Sequence, residues 1–323
     1  MKQDLGGIWE AVRPVPAGGP ESVPVWTSVT LPHCVNASDA TDPDVNYYQG
    51  PSWYRTSLSI SNPYTAGRTL LHFEGAGQKT SVYIYTTLVG AHTGGYDEFT
   101  IDITDAVESF RSSPVYAKQF KNKIPLSIRT DNSRDLEMIP SGMSDFNVYG
   151  GIYRYLNLVY VPAISLEHLF VKAQLDRAGK TGTVELLPRF YNKSSQSPAA
   201  ADIRIFDPKG REVYHTSARY QPGNPDPIPV ITLKKPLPWS PNNPQLYRVT
   251  YRIGEYVREE KFAFRHFEFV KNGPFLFNGK RLLLNGTHRH EDHAGVAAAM
   301  TEDLMRTEMI MMKEMGVNFI RLG

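Results

Sequence analysis

Up to about residue 270, hydrophobic and polar positions alternate in short bursts. Residues 53–60 (WYRTSLSI), 69–74 (TLLHFE), 81–85 (SVYIY), 99–103 (FTIDI) and 125–129 (PLSIR) are rich in Tyr, Ile, Val and Thr. Gly, Pro, Asn or Asp bound each of them, as expected of half-buried strands. No long helical periodicity interrupts the series. Evenly spaced short strands with turn residues between them predict a sandwich or jelly roll rather than strand–helix–strand units.

A joint falls at Val161-Pro162-Ala163. Proline steers its predecessor away from the helical region and cannot join a central ladder. Beyond it, 166–174, 183–191, 201–206, 230–233, 247–253 and 261–269 read as a second set of strands. Some hundred residues with six or seven strands match an immunoglobulin-like sandwich. Asp207-Pro208-Lys209-Gly210 reads as a tight turn, and 221–229 as an exposed proline-rich loop.

The pattern then changes. Residues 280–285 (KRLLLN) form a continuous apolar run, expected of a strand buried on both faces of a parallel sheet. Gly286 suggests a turn, and 287–293 (THRHEDH) a polar loop. Thr301 can cap a helix, with Glu302 and Asp303 complementing its dipole. Met305, Met309 and Met312 follow at helical spacing, predicting a core-facing stripe, and Gly316 ends the helix. Residues 317–322 (VNFIRL) read as a second apolar strand. Strand, helix, strand predicts a right-handed crossover in a parallel sheet.

Composition narrows the classes. At 323 residues with 41% hydrophobic content, a packed core is expected rather than disorder. A net charge of +2 does not supply the clustered basic face of a nucleic-acid binder. The densest basic patch, 118–123, reads as a solvated loop or edge strand. Cys34 is the sole cysteine, which excludes an intrachain disulfide. No apolar run reaches the roughly 18 residues of a membrane span. Met1 to Gly7 has no apolar leader core, which leaves cytoplasmic and exported locations open, the latter with a leader removed.

These elements and several motifs resemble glycoside hydrolase family 2, the β-galactosidase, β-glucuronidase and β-mannosidase group, and most closely a β-galactosidase. The first part carries Leu31-Pro32-His33, Gly50-Pro51-Ser52-Trp53-Tyr54-Arg55, Gly94-Gly95-Tyr96 and the run from Ser144 through Gly150-Gly151-Ile152-Tyr153-Arg154. Trp239-Ser240-Pro241 falls in the second part, and Asn278-Gly279-Lys280 with Arg289-His290-Glu291-Asp292-His293 opens the third. The resemblance implies a multidomain, mainly β chain. Its expected parts are a jelly-roll β-sandwich that binds sugar (1–162), an immunoglobulin-like β-sandwich (163–267) and the truncated start of a (β/α)8 barrel (268–323). A whole barrel needs roughly 250 residues and eight βα units.

The resemblance also implies retaining, exo-acting hydrolysis of terminal β-linked sugars by two glutamates on later barrel strands. Neither is in this chain, so the chain alone is expected to be inactive. Asp145, His290, Arg321 and Asn147 are the implied sugar contacts, with Asn46 or Gln49 as a further amide. Glu291, Asp292, His293 and Arg154 are the implied supports around them. His288 stands where the family usually has Asn, Tyr155 where Asp is common, and Tyr85-Thr86-Thr87 where an Asn-Gly turn is usual. No cofactor is evident, although the resemblance allows sodium or magnesium in a complete enzyme. The expected partner is a carbohydrate substrate, with homo-oligomerisation open and neither nucleic acid nor membrane expected.

Two other readings of the residues stand beside this one. His288, His290 and His293 could supply three ligands to a zinc ion. Alternatively, the chain is a non-catalytic carbohydrate-binding or scaffold protein, because jelly rolls bind sugars on their own in lectins.

Overall fold

The computed structural model describes residues 1–12, 25–39, 41–139, 146–191, 199–221 and 227–322. Asp145 and the prolines at 222 and 225 lie outside them.

The first sandwich packs two antiparallel sheets. The larger has strand order Thr27–Thr30, Ile8–Val12, Pro51–Leu58, Ile124–Asp131, Lys79–Ile84, Thr87–Thr93. The smaller runs Lys2–Asp4, Leu156–Val161, Arg68–Phe73, Phe99–Asp102. Alternation sets the core: along Ile124–Asp131 every second side chain is buried. Trp9, Tyr54, Leu71, Phe73 and Ile128 fill the space between the sheets. The sequence reading missed two helices here, Thr104–Arg111 and Pro114–Lys118. They are too short for a visible period, and Val107 and Phe110 of the first cap the core. The 118–123 patch is the end of the second helix and the turn after it rather than an edge strand.

The second sandwich has a three-stranded sheet, Leu166–Leu175, Thr181–Phe190 and Ile231–Lys234. Against it lies a four-stranded sheet in the order Glu212–Tyr220, Ala199–Phe206, Tyr247–Ile253, Tyr256–Phe262. Val184, Ile203, Val249 and Phe264 are wholly buried between them. Glu212–Tyr220 was not expected, since only Tyr220 is buried and a mostly exposed strand carries little apolar signal. The expected strand over 261–269 is broken: Phe262 closes the sandwich, and Phe267–Phe269 begins a small separate sheet with Phe275–Phe277 and Lys280–Arg281.

The last unit is strand Gly286–Arg289, helix Glu302–Glu314 and parallel strand Phe319–Leu322. Thr301 caps the helix by accepting from the Leu304 amide at 3.4 Å. The strand is shifted from its expected place. Leu283 and Leu284 are exposed and outside any strand, and the parallel pairing begins at Gly286. Gly286 is a close approach rather than a turn: a Cβ there would lie 3.1 Å from the Phe319 ring. The methionine stripe does not face a core either. No residue of the helix is buried, and Met309, Met311 and Met315 are exposed.

Candidate functional site

The site is built at the seam between the first sandwich and the loop after strand Gly286–Arg289. Two buried asparagines shape the sandwich side. The Asn36 carboxamide oxygen accepts from Gly150 N at 3.0 Å. Asn132 donates to the carbonyls of Tyr48 (3.0 Å) and Val148 (2.9 Å) and accepts from Gly50 N (2.9 Å). Both side chains are inaccessible, so these bonds fix the path of 146–151 in a place where leaving them unmade would be costly. The barrel side presents a run of small residues. Ala297, Ala298 and Ala299 are buried against Cys34 and Tyr153, with Ala37 and Tyr149 packed alongside. Small side chains let the two backbones approach closely. Burial pushes the Cys34 thiol up to about 11, so it is a packing group and not a nucleophile.

Charge completes the seam. Arg289, 6% exposed, pairs with Glu308 of the helix at 2.6 Å and with Glu291 of the loop. The other Glu291 oxygen accepts from Arg154 at 2.9 Å, and Arg154 also donates to the Ala298 carbonyl. Beside them the Tyr149 hydroxyl donates to Asp292 at 2.9 Å and accepts from the Asn147 amide at 3.3 Å. Burial, aided by Asp292, raises the Tyr149 hydroxyl to about 12, so it stays a donor.

Above this scaffold lies a cavity of about 540 Å³. It gathers His290, Arg321, Asn147, Arg154, Glu291 and Asp292 from the expected set. Arg321 comes from the end of the last strand, with Nη1 3.5 Å from His288 Nδ1. Asn46 and Gln49 are exposed on the approach to Pro51–Leu58 and do not line this cavity. Asp145 lies outside the described residues, although its neighbours Phe146 and Asn147 line the wall. His293 is outside the lining, in a turn closed by its amide on Ala297 O at 3.1 Å. Its Nδ1 is 2.9 Å from the Ala294 carbonyl, which can only accept, so that nitrogen carries a proton. Tyr149, Asn36 and Asn132 were missed by the sequence reading, and only the density of Asn and Tyr around the motifs pointed their way.

His288 lies in the strand and His290 and His293 in the loop after it, and the three do not converge. Among the described residues no group of three His, Cys, Asp or Glu side chains could hold a metal ion. The zinc reading finds no support in this geometry. Glu291 has both oxygens occupied by guanidiniums, and Asp292 is engaged by a tyrosine. What the cavity offers is a set of donors and acceptors suited to a polyhydroxylated ligand, not an uncommitted pair of carboxyl groups.

Two antiparallel sandwiches that lead into a parallel strand–helix–strand, with a cavity at the strand ends, define a multidomain, mainly β protein joined to one unit of a parallel β/α architecture. Comparison with known proteins gives the family. Models of glycosyl hydrolases family 2 match throughout: the sugar binding domain over 17–162, the central domain over 164–265 and the TIM barrel domain over 269–323. The apo structure of Bacteroides uniformis β-glucuronidase 3 is 52% identical with a TM-score of 0.92, covering 100% of this chain and 42% of that one. A Formosa agariphila protein with a provisional β-glucuronidase designation is 37% identical over 306 residues, 92% of this chain and 35% of its own. A β-galactosidase of Thermoanaerobacter pseudethanolicus is 27% identical, over 85% of this chain and 36% of its own. The chain belongs to glycosyl hydrolases family 2, and it spans between a third and a half of the length of these relatives.

Proposed function

We propose that this chain is the part of a retaining, exo-acting β-glucuronidase that holds the terminal sugar. The observation that carries the reading is the seam cavity, where His290 and Arg321 from the barrel strands meet Asn147 from the first sandwich. In this reading His290 and Asn147 hydrogen-bond sugar hydroxyls, and Arg321 supplies a fixed positive charge near the reacting centre. Glu291 and Asp292 support the loop instead of reacting. Retaining hydrolysis needs two carboxyl groups about 5–5.5 Å apart, one as nucleophile and one as acid/base, with a covalent glycosyl-enzyme intermediate. We place that pair on barrel strands beyond the single unit present here.

The sequence motifs alone favoured a β-galactosidase. The relatives shift the support to β-glucuronidase, because the higher identities carry that name.

An assay with 4-nitrophenyl β-glucuronide and 4-nitrophenyl β-galactoside tests the reading. The 323-residue chain is expected to turn over neither substrate. Joined in turn to the remaining barrel strands of a β-glucuronidase and of a β-galactosidase of the family, it is expected to restore glucuronide hydrolysis with the first and little galactoside hydrolysis with the second. Turnover by the chain alone would overturn the division of labour, and restored galactoside hydrolysis without glucuronide hydrolysis would overturn the sugar.

A further inference from the structure

We propose that His288 is a positioning residue for Arg321: its neutral imidazole holds the guanidinium at the cavity without cancelling the charge. This rests on the glycosidase reading above and adds what fixes the cation that reading places at the site.

The parallel pairing brings the two residues together. His288 and Arg321 are direct partners in the register of Gly286–Arg289 with Phe319–Leu322, so their side chains leave the same face of the two strands. The neighbouring pair on that face is Gly286 with Phe319, which offers no polar side chain. His288 is therefore the polar neighbour that the strand pair gives Arg321, and its Nδ1 lies 3.5 Å from Arg321 Nη1. Arg321 lines the cavity and His288 does not, so the imidazole acts only through the arginine.

A second arginine on these strands shows what the choice of partner does. Arg289 leaves the other face, is buried, and is held by two carboxylates, Glu291 and Glu308. Its charge is balanced within the fold. Arg321 is exposed, and among the described residues no carboxylate pairs with it. A guanidinium only donates, so Nδ1 of His288 must carry the lone pair and the ring proton must sit on Nε2. A neutral acceptor restrains a long side chain with many rotamers and leaves its positive charge whole. The contact uses one of five donors, and the rest of the planar fork can face a carboxylate in the cavity. An aspartate at 288 would hold the arginine equally well and cancel the charge it brings to the cavity.

The test reads side chains of the 323-residue chain by nitrogen NMR at pH 8, where an ordinary imidazole is neutral. Arg321→Lys assigns the guanidinium signal by its loss. Wild type is expected to show the His288 lone pair on Nδ1 and slowed rotation of the Arg321 guanidinium. His288→Leu should speed that rotation about fivefold, the factor one ordinary hydrogen bond supplies. Its melting temperature should not change, as expected for an exposed side chain. His288→Asn puts an amide oxygen within similar reach and should restore the wild-type rotation. A proton on Nδ1 in wild type, equal rotation in wild type and His288→Leu, or no restoration by His288→Asn would each overturn the positioning role. These signals are read without sugar, so their failure leaves the glycosidase reading standing. Failure of the glucuronide assay would overturn that reading and leave the contact in place.

Discussion

The second sandwich and the barrel unit follow the same local rules with opposite results. In the sandwich, alternating strands bury Val184, Ile203, Val249 and Phe264 completely. In the barrel unit, the helix has its N-cap, its acidic first turn and its apolar stripe, yet buries nothing. Local signals decide whether an element forms, and only neighbouring elements decide whether its apolar face is covered. What the barrel unit does bury is Arg289, the alanine run and Met300, which precede the helix and lie at the seam. The unit is thus anchored through its site-forming end while its apolar helix face stays exposed.

Substitutions can break or sharpen this contrast. The largest effect is expected from Phe264→Ala, which removes a ring packed edge-on against Tyr247 and Phe262, at a cost of about 3–5 kcal/mol by denaturant unfolding. Arg289→Met should follow at about 2 kcal/mol, because it leaves Glu291 and Glu308 facing each other without their shared guanidinium. Those carboxylates are 27% exposed, so water softens the loss. Hydrogen exchange should place the loss in 286–322 and spare the sandwiches, and uniform loosening would break the contrast. Cys34 tests the seam from inside. Its raised pKa favours the neutral thiol, so at pH 8 alkylation should run about a hundredfold slower than in the denatured chain. Reactivity should climb as the pH nears 11, and brisk labelling at pH 8 would mean the alanine run does not stay seated. Tyr149→Phe should cost about 1 kcal/mol or less, seen as faster exchange in 290–293 with an unchanged global midpoint. The smallest effect, below about 0.5 kcal/mol, is expected for Met309→Ala on the exposed helix face. A loss there rivalling that of Phe264→Ala would show that the face is covered after all.

The sequence was most readable where one side of an element faces a core. Tyr247–Ile253 lies at its expected positions because its inward residues are buried. Glu212–Tyr220 escaped notice because its outer position leaves almost every residue partly wet. Leu282, Leu283 and Leu284 look like a strand by composition, but the pairing belongs to the plainer Gly286–Arg289, where partner geometry outranks hydrophobicity. At the site, the charged loop stood out by density alone, and its His290 does line the cavity. The groups that hold the opposite wall did not stand out. Asn36 and Asn132 are ordinary residues until a fold places a backbone amide and backbone carbonyls beside them.

The line of alternating charges from Glu308 through Arg289 and Glu291 to Arg154 has a consequence for how such proteins can be recombined. Glu308, Arg289 and Glu291 belong to the barrel unit and pair there, while Arg154 of the first sandwich finds its carboxylate only across the seam. A sandwich grafted from another source would need a cation at the position of Arg154 and a cleft that admits three alanines. A graft lacking these would leave one Glu291 oxygen without its guanidinium and the loop that carries it without its seat. Recombination at this boundary is therefore expected to succeed only when loop and sandwich are inherited as a pair.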